Sequence, residues 1–389
     1  MECLDKDIAD FALEYSSSKE VEYAEVRAHR EDRTELVMKN GALDAYVSMV
    51  DRGFCVRILA GGGIGFASTN KWTREEAKAI VDIAYKFARM AKRRDKITFA
   101  EEKGAKANWK VEEKEKAGDV APETRIKTLM EIDKELTSQG VNVAARMFTF
   151  EVSLTERYFS NTEGSVISSY VPRIGAHGFI TVIEDGKPEQ AYKQFGYAGG
   201  WEALQEWKIT EQMISEARVL QRVIKEARAV KPGRMDVVCG PNVAGIAAHE
   251  SCGHPMEADR ILGREMSQAG RSFIFPGGPY WLGTRIGSPV VTILDDPTVE
   301  NSYGYYEYDD EGIRARPRYL YKNGVINEFL HNRETAARLG TRSNGASRAV
   351  DYDREAIVRM ANTFVQPGDM TEEEILEDVK QGIYMRSFT

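Results

Sequence analysis

The alternation of apolar and polar residues divides the chain into stretches of helical and strand period. Near the amino end Ile8, Phe11, Ala12 and Tyr15 recur on one face, which predicts an amphipathic helix. Residues 20 to 70 read as hairpin-rich, with Asn40-Gly41 as a turn signal. A second helix is expected from Thr73, with a capping box to Glu76 and a buried stripe of Ala77, Ile80, Ala84, Phe87 and Ala88.

Residues 101 to 121 are polar and rich in Lys, Glu and Ala, so they read as a linker or exposed arm before Pro122 opens the next helix. That helix carries Ile126, Leu129, Met130 and Leu136 and stops at Gly140. Antiparallel strands are expected over residues 144 to 154, 165 to 171 and 178 to 184, the last turning at Asp185-Gly186. A long helix from about Glu211 to Val230 ends at Pro232-Gly233, after which short strands alternate with Gly-rich and Pro-rich loops. The expected architecture is a multidomain α+β protein. Its units are an amino-terminal α+β domain with linker over residues 1–110, a middle α+β domain over 111–231 and a strand-rich domain over 232–389.

Composition narrows the class. Of 389 residues, 42% are hydrophobic, enough to bury several cores. Acidic residues outnumber basic ones 61 to 53, and the resulting charge of -8 argues against a general affinity for nucleic acid or anionic membranes. The densest basic run, Lys92-Arg93-Arg94, follows a predicted helix and complements its carbonyl end. Cys3, Cys55, Cys239 and Cys252 are too scattered for a disulfide framework, which suits a reducing compartment. The acidic start has no apolar signal core, and no stretch approaches the roughly twenty apolar residues of a membrane span. A cytoplasmic protein is expected.

The chemistry concentrates after residue 234. Met235 to Cys239 reads as a buried strand, and Gly240-Pro241 opens a helix whose Val243, Ile246 and Ala247 should face the core. That helix delivers His249-Glu250-Ser251-Cys252-Gly253-His254. Two histidines four apart on an α-helix share one face and can share a metal, but here the spacing is five, which sets them roughly 140° apart around the axis. The helix must therefore break or bulge between them. Gly253 offers unusual dihedrals, and Pro255 should push His254 into a non-helical position from which it swings back. Neutral imidazoles suit zinc, and Glu250 is placed to take a proton from metal-bound water. The bland alternative is a core histidine beside a helix end, because His-Glu-x-x-x-His arises by chance in on the order of one per hundred chains this long.

The longer string HESCGHPMEADR resembles the signature of the TldD/PmbA peptidase family. The resemblance extends through MDVVCGPNVAGIAAHE, VTILDDPT, the DDEG at Asp309 to Gly312 and RMANTFVQPGD, and more weakly through GGGIGFAST. It implies a zinc metallopeptidase of the motif-bearing TldD branch, with His249 and His254 as zinc ligands and Glu250 as the catalytic carboxylate. It further implies unfolded or short peptides as substrates, and a homodimer or a heterodimer with a PmbA-like paralogue. The family's third zinc ligand is a cysteine in a carboxy-terminal segment, and no cysteine follows Cys252 here, so a truncated metallopeptidase domain is expected. Cys252, Glu257 and Asp259 are substitutes for that ligand, with a supporting or loop-capping role favoured for the two acids. The alternative function is an inactive, metal-deficient binding or scaffold subunit of a peptidase complex.

Other features read more plainly. Gly61-Gly62-Gly63-Ile64-Gly65 lacks the Lys-Ser/Thr of a phosphate loop and is expected to be a hairpin turn. Asp295-Asp296 and Asp309-Asp310 read as solvated turns, and His29, His177 and His331 as structural or exposed. Tyr303, Tyr305, Tyr306 and Tyr308 crowd one loop that either lines a peptide groove or covers a subunit contact.

Overall fold

The computed structural model describes residues 4–91, 95–264 and 270–387, so Cys3 and the Lys92-Arg93-Arg94 run lie outside the described residues. Helix α1 (Lys6–Ser17) precedes three strands, β1 (Tyr23–Lys39), β2 (Ala42–Ala60) and β3 (Gly63–Thr69). Helix α2 (Arg74–Met90) follows, then β4 (Lys106–Lys110) and α3 (Pro122–Thr137). The long strands β5 (Val143–Asn161), β6 (Val166–Glu184) and β7 (Lys187–Ala198) come next, then α4 (Ala203–Trp207) and α5 (Ile209–Glu226).

All seven strands form one sheet in the order β3-β2-β1-β5-β6-β4, with β7 also paired to β6. Pairing of β1 with β5 from Glu25–Asn161 to Lys39–Met147 carries the sheet across the stretch expected to be a linker. That stretch is itself structured. Strand β4 pairs in parallel with β6, and Trp109, Val111 and Ala117 are buried, because these few apolar residues cover the end of the sheet that the polar majority leaves open.

The turns follow their chemistry. Asn40 and Gly41 take positive φ between β1 and β2, Gly61 and Gly62 do so between β2 and β3, and Asp185 and Gly186 between β6 and β7. Gly65 is required for another reason: a Cβ there would sit 1.9 Å from the Ala84 carbonyl oxygen, so α2 lies directly on β3. The Thr73 hydroxyl caps α2 by accepting from the Glu76 amide. The buried stripe runs through Ala77, Ile80, Val81, Ala84 and Ala88, and these mostly small residues allow close approach. Phe87 falls outside it and is 54% exposed, and Met130 on α3 is 52% exposed, correcting both expectations.

After residue 232 come β8 (Asp236–Cys239), α6 (Pro241–Ala248), α7 (Ala258–Ile261), β9 (Ile293–Asp295), β10 (Arg318–Lys322) and β11 (Val325–Ile326). The chain then forms α8 (Arg333–Arg338), β12 (Ser347–Arg348), β13 (Ile357–Val358), β14 (Thr363–Val365), α9 (Glu372–Glu377) and β15 (Gly382–Met385). A four-stranded sheet in the order β11-β10-β9-β14 packs over Met256, Ile261, Phe329, Leu330 and Met360. Strand β8 is not the buried strand expected. Its strand neighbour among the described residues is β15, and Val237 and, on α6, Ile246 are largely exposed. No described helix is long and apolar enough to cross a membrane.

Of the paired acids Asp296 is the turn residue expected, accepting from the Thr298 amide and hydroxyl, but the others are not solvated. Asp295, Asp309, Asp310 and Glu311 are all buried, because basic side chains and backbone amides meet them. Glu311 accepts from Arg57 at 2.7 Å and from the Arg333 amide, and Arg157 donates to Asp310 at 3.0 Å, joining the large sheet to the carboxy-terminal region. Asp309 takes the amides of Glu311, Ile313 and Ser347. His29 is buried and pairs with Asp351 at 3.0 Å, His331 is buried beside Thr335, and His177 meets the Tyr192 hydroxyl.

Candidate metal centre

Helix α6 starts at Pro241, whose missing amide costs nothing in a first turn. It cannot continue regularly past Ser251, since Pro255 has no amide to donate to that carbonyl and its ring would clash with it. The chain relieves the conflict by widening. Residues His249–Gly253 form a single π-turn in which the His254 amide donates to the His249 carbonyl, and a 3-10 turn over His254–Met256 follows.

This turn places residue i+5 over residue i, which an α-helix does not. The His249 and His254 rings stand 4.8 Å apart between centroids and nearly perpendicular. Ligand atoms of His249, Glu250 and His254 all lie within 4.8 Å of one another, a little wider than the roughly 4.2 Å that two bonds of about 2.1 Å to one zinc ion can span. The spacing argument for a bulge is thus met, but its details differ. His254 keeps helical dihedrals of φ -55 and ψ -41, and Gly253 has an ordinary φ of -72. Glycine is needed at 253 for room: a Cβ would fall 1.9 Å from the Met360 sulfur.

Burial, and secondarily the neighbouring His254, pushes the His249 pKa down, favouring the neutral imidazole that a metal requires. Glu250 is exposed, with its Oε2 4.0 Å from His254 Nε2. On the other edge of that ring, Nδ1 lies 3.2 Å from Glu257 Oε2 and 3.0 Å from Arg260 Nη2. Glu257 is fully buried, pairs with Arg260, and is locked by the bond from the Ala258 amide to the Leu330 carbonyl. Arg260 can only donate and so suits an unprotonated Nδ1, whereas Glu257 accepting from Nδ1–H is the arrangement that leaves the Nε2 lone pair turned toward Glu250 and His249.

The substitute ligands resolve differently. Cys252 is not among the clustered side chains; it packs against the apolar core beneath the turn, and burial pushes its thiol up to about 11. Asp259 accepts from the Arg260 and Val358 amides and so holds the loop. Nothing in the sequence marked Arg260 as a neighbour of His254, because the extended Glu257 separates the 3-10 turn of His254 from helix α7, which carries Arg260. The donor types fit zinc, supplying two of the three protein ligands that a catalytic zinc ion keeps.

Comparison with known proteins bears on the same region. The amino-terminal, central and carboxy-terminal domains of the PmbA/TldA metallopeptidase family match residues 24–88, 115–229 and 232–389. A metalloprotease of Methanocaldococcus jannaschii is 30% identical over 367 residues, covering 94% of this chain and 78% of its own. A protein named zinc metalloprotease TldD homolog in Saccharolobus solfataricus is 26% identical over 375 residues, covering 94% and 77%. The crystal structure of TldE from Thermococcus kodakarensis shares the fold at a TM-score of 0.75 and 18% identity, over 97% of this chain and 81% of that one. With matches along its length and the histidine pair set on one π-turn, the chain belongs to the TldD/PmbA metallopeptidase family.

Proposed function

We propose that the chain is a zinc-dependent peptidase of unfolded or short peptides, with His249 and His254 as metal ligands and Glu250 as general base. The observation carrying this reading is the π-turn, which sets two imidazoles five residues apart beside one exposed carboxylate. Zinc held by His249 and His254 would supply a polarising charge and acidify a nearby water. Glu250 would take up a proton and pass it to the leaving amine, and its side chain, 62% exposed, has room for both positions. Glu257 holds the His254 ring in the tautomer that leaves Nε2 free. Glu257→Gln is therefore expected to weaken zinc binding about 10- to 100-fold, as read by competition with a chelating dye. Unchanged affinity would remove Glu257 from this role.

The peptide is held extended by main-chain hydrogen bonds. Strand β14 is an edge of its sheet among the described strands, and both α6 and the π-turn pack against it. Exposed Phe273 and Phe275 follow Ser272, whose hydroxyl donates to the Pro255 carbonyl, and offer apolar surface beside the motif. Incubation of zinc-loaded protein with an unstructured peptide tests the reading. New termini by mass spectrometry are expected, and an intact peptide at full zinc occupancy contradicts it.

One observation favours the second reading, a metal-deficient binding or scaffold subunit. Among the described residues the cluster holds two imidazoles and Glu250, with no third imidazole or thiolate. Failure to hold zinc after reconstitution would support that reading.

The partner is a second chain of the family, either a copy or a PmbA-like paralogue. The outer edge of β2 from Ala42 to Arg52 has no strand beside it among the described residues, and it exposes Leu43, Val47, Met49 and Val50. A long apolar edge of this kind associates in water. Val47→Lys with Met49→Lys is expected to shift a dimer to monomer in light scattering, and an unchanged mass would place the contact elsewhere. Cys55, Cys239 and Cys252 are free, which fits a reducing cytoplasm.

A further inference from the structure

A second cavity, of about 80 Å³, lies where β5 and β6 meet the tyrosine-rich loop and β12. It is several times what one water needs. Phe159 and Ile167, paired across β5 and β6, line one end, and Arg157, Val171, Arg173 and Arg348 line the rest. Asp309 and Asp310 also border it, but Asp309 is taken up by three backbone amides and Asp310 by Arg157 and the Ala349 amide.

Two of the arginines have no carboxylate partner among the described residues. Arg173 donates to the carbonyls of Tyr303 at 2.9 Å and Tyr305 at 3.2 Å. Arg348 donates to the Met360 carbonyl at 2.9 Å and stacks on Tyr306. Burial and then the nearby Arg157 and Arg348 push the Arg173 pKa down to about 10, as expected of a cation crowded by like charges. Three guanidinium groups facing two engaged carboxylates leave positive charge to be matched. Arg157 is about a third exposed and marks the open side.

We propose that this cavity binds a carboxylate carried on an apolar residue, with the arginines on the carboxylate and the Phe159 and Ile167 end around the side chain. Under the peptidase reading, on which this identification rests, the ligand is the carboxy-terminal residue of a short peptide. The apolar wall favours such a ligand over a bare phosphate, whose every face seeks a donor. Arg348 also reaches Met360, the residue packed on Gly253, so the cavity wall and the metal turn share a support.

Calorimetric titration of the metal-free full chain with N-acetyl-leucine, N-acetyl-leucinamide and inorganic phosphate tests this apart from peptidase activity. N-acetyl-leucine is expected to bind at least tenfold more tightly than the amide or phosphate. Arg173→Gln and Arg348→Gln should each weaken it at least tenfold, and Ile167→Phe should abolish it by filling the apolar end while leaving the arginines in place. Thermal melting separates lost binding from lost folding, and the two other variants stand if Arg173→Gln does not fold. Equal binding of acid and amide, tighter binding of phosphate, or indifference to all three substitutions would overturn the proposal. Any of these would leave the zinc chemistry untouched, whereas carboxylate binding without peptide cleavage would fault the peptidase reading alone.

Discussion

Glu250→Gln is expected to lower kcat/KM for an unstructured peptide by roughly 10²- to 10⁴-fold while zinc content stays at the wild-type level. The amide keeps the shape of the side chain but cannot accept a proton. Glu250 is exposed and takes no part in the cores, so the folded structure should be unchanged. Comparison at matched metal loading is needed, because the loss belongs to proton transfer and not to binding of the ion. Equal activity of the two proteins would remove Glu250 from the role of base.

The second large effect concerns the support of the site. Arg318 and Asp295 are both fully buried and paired, and Arg318 also donates to the Tyr306 hydroxyl at 3.1 Å and the Gly345 carbonyl at 2.6 Å. Asp295 takes the Ala361 amide and the Thr363 hydroxyl in addition. Arg318→Leu leaves a buried carboxylate without its cation and should cost about 3–5 kcal/mol in urea unfolding. Replacing both partners with apolar residues should recover part of that loss, since the isolated charge is then gone. A loss below about 1 kcal/mol would mean that water reaches Asp295 and that the pair is not a closed unit.

What the sequence disclosed depended on how local the cause was. Asn40-Gly41, Asp185-Gly186 and the Thr73 cap act within a few residues, and the structure has each where its chemistry predicts. The need for a bulge between His249 and His254 followed from helix geometry alone, but its form did not. Pro255 forbids a regular helix, but the need for glycine at 253 comes from Met360, over a hundred residues away, filling the space a side chain would need. The same distance hid the buried acids. Asp295, Asp309 and Glu311 look like turn residues until Arg318, Ser347 and Arg57 are brought to them by the fold. The pairing of β1 with β5 was likewise unreadable, because two polar-alternating strands separated by a polar stretch carry no local mark of being neighbours. Family resemblance supplied the chemistry, and a supporting role was already expected of Glu257; the fold adds its contact with the His254 ring and brings Arg260 beside it.

The central claim is that the π-turn makes His249 and His254 joint ligands of one zinc ion. Elemental analysis after zinc reconstitution and removal of excess metal tests it most directly, on wild type, Glu250→Gln, His249→Ala and His254→Ala. The account predicts stoichiometric zinc in the first two and its loss in both histidine variants. Zinc retained in His249→Ala and His254→Ala alike would contradict it.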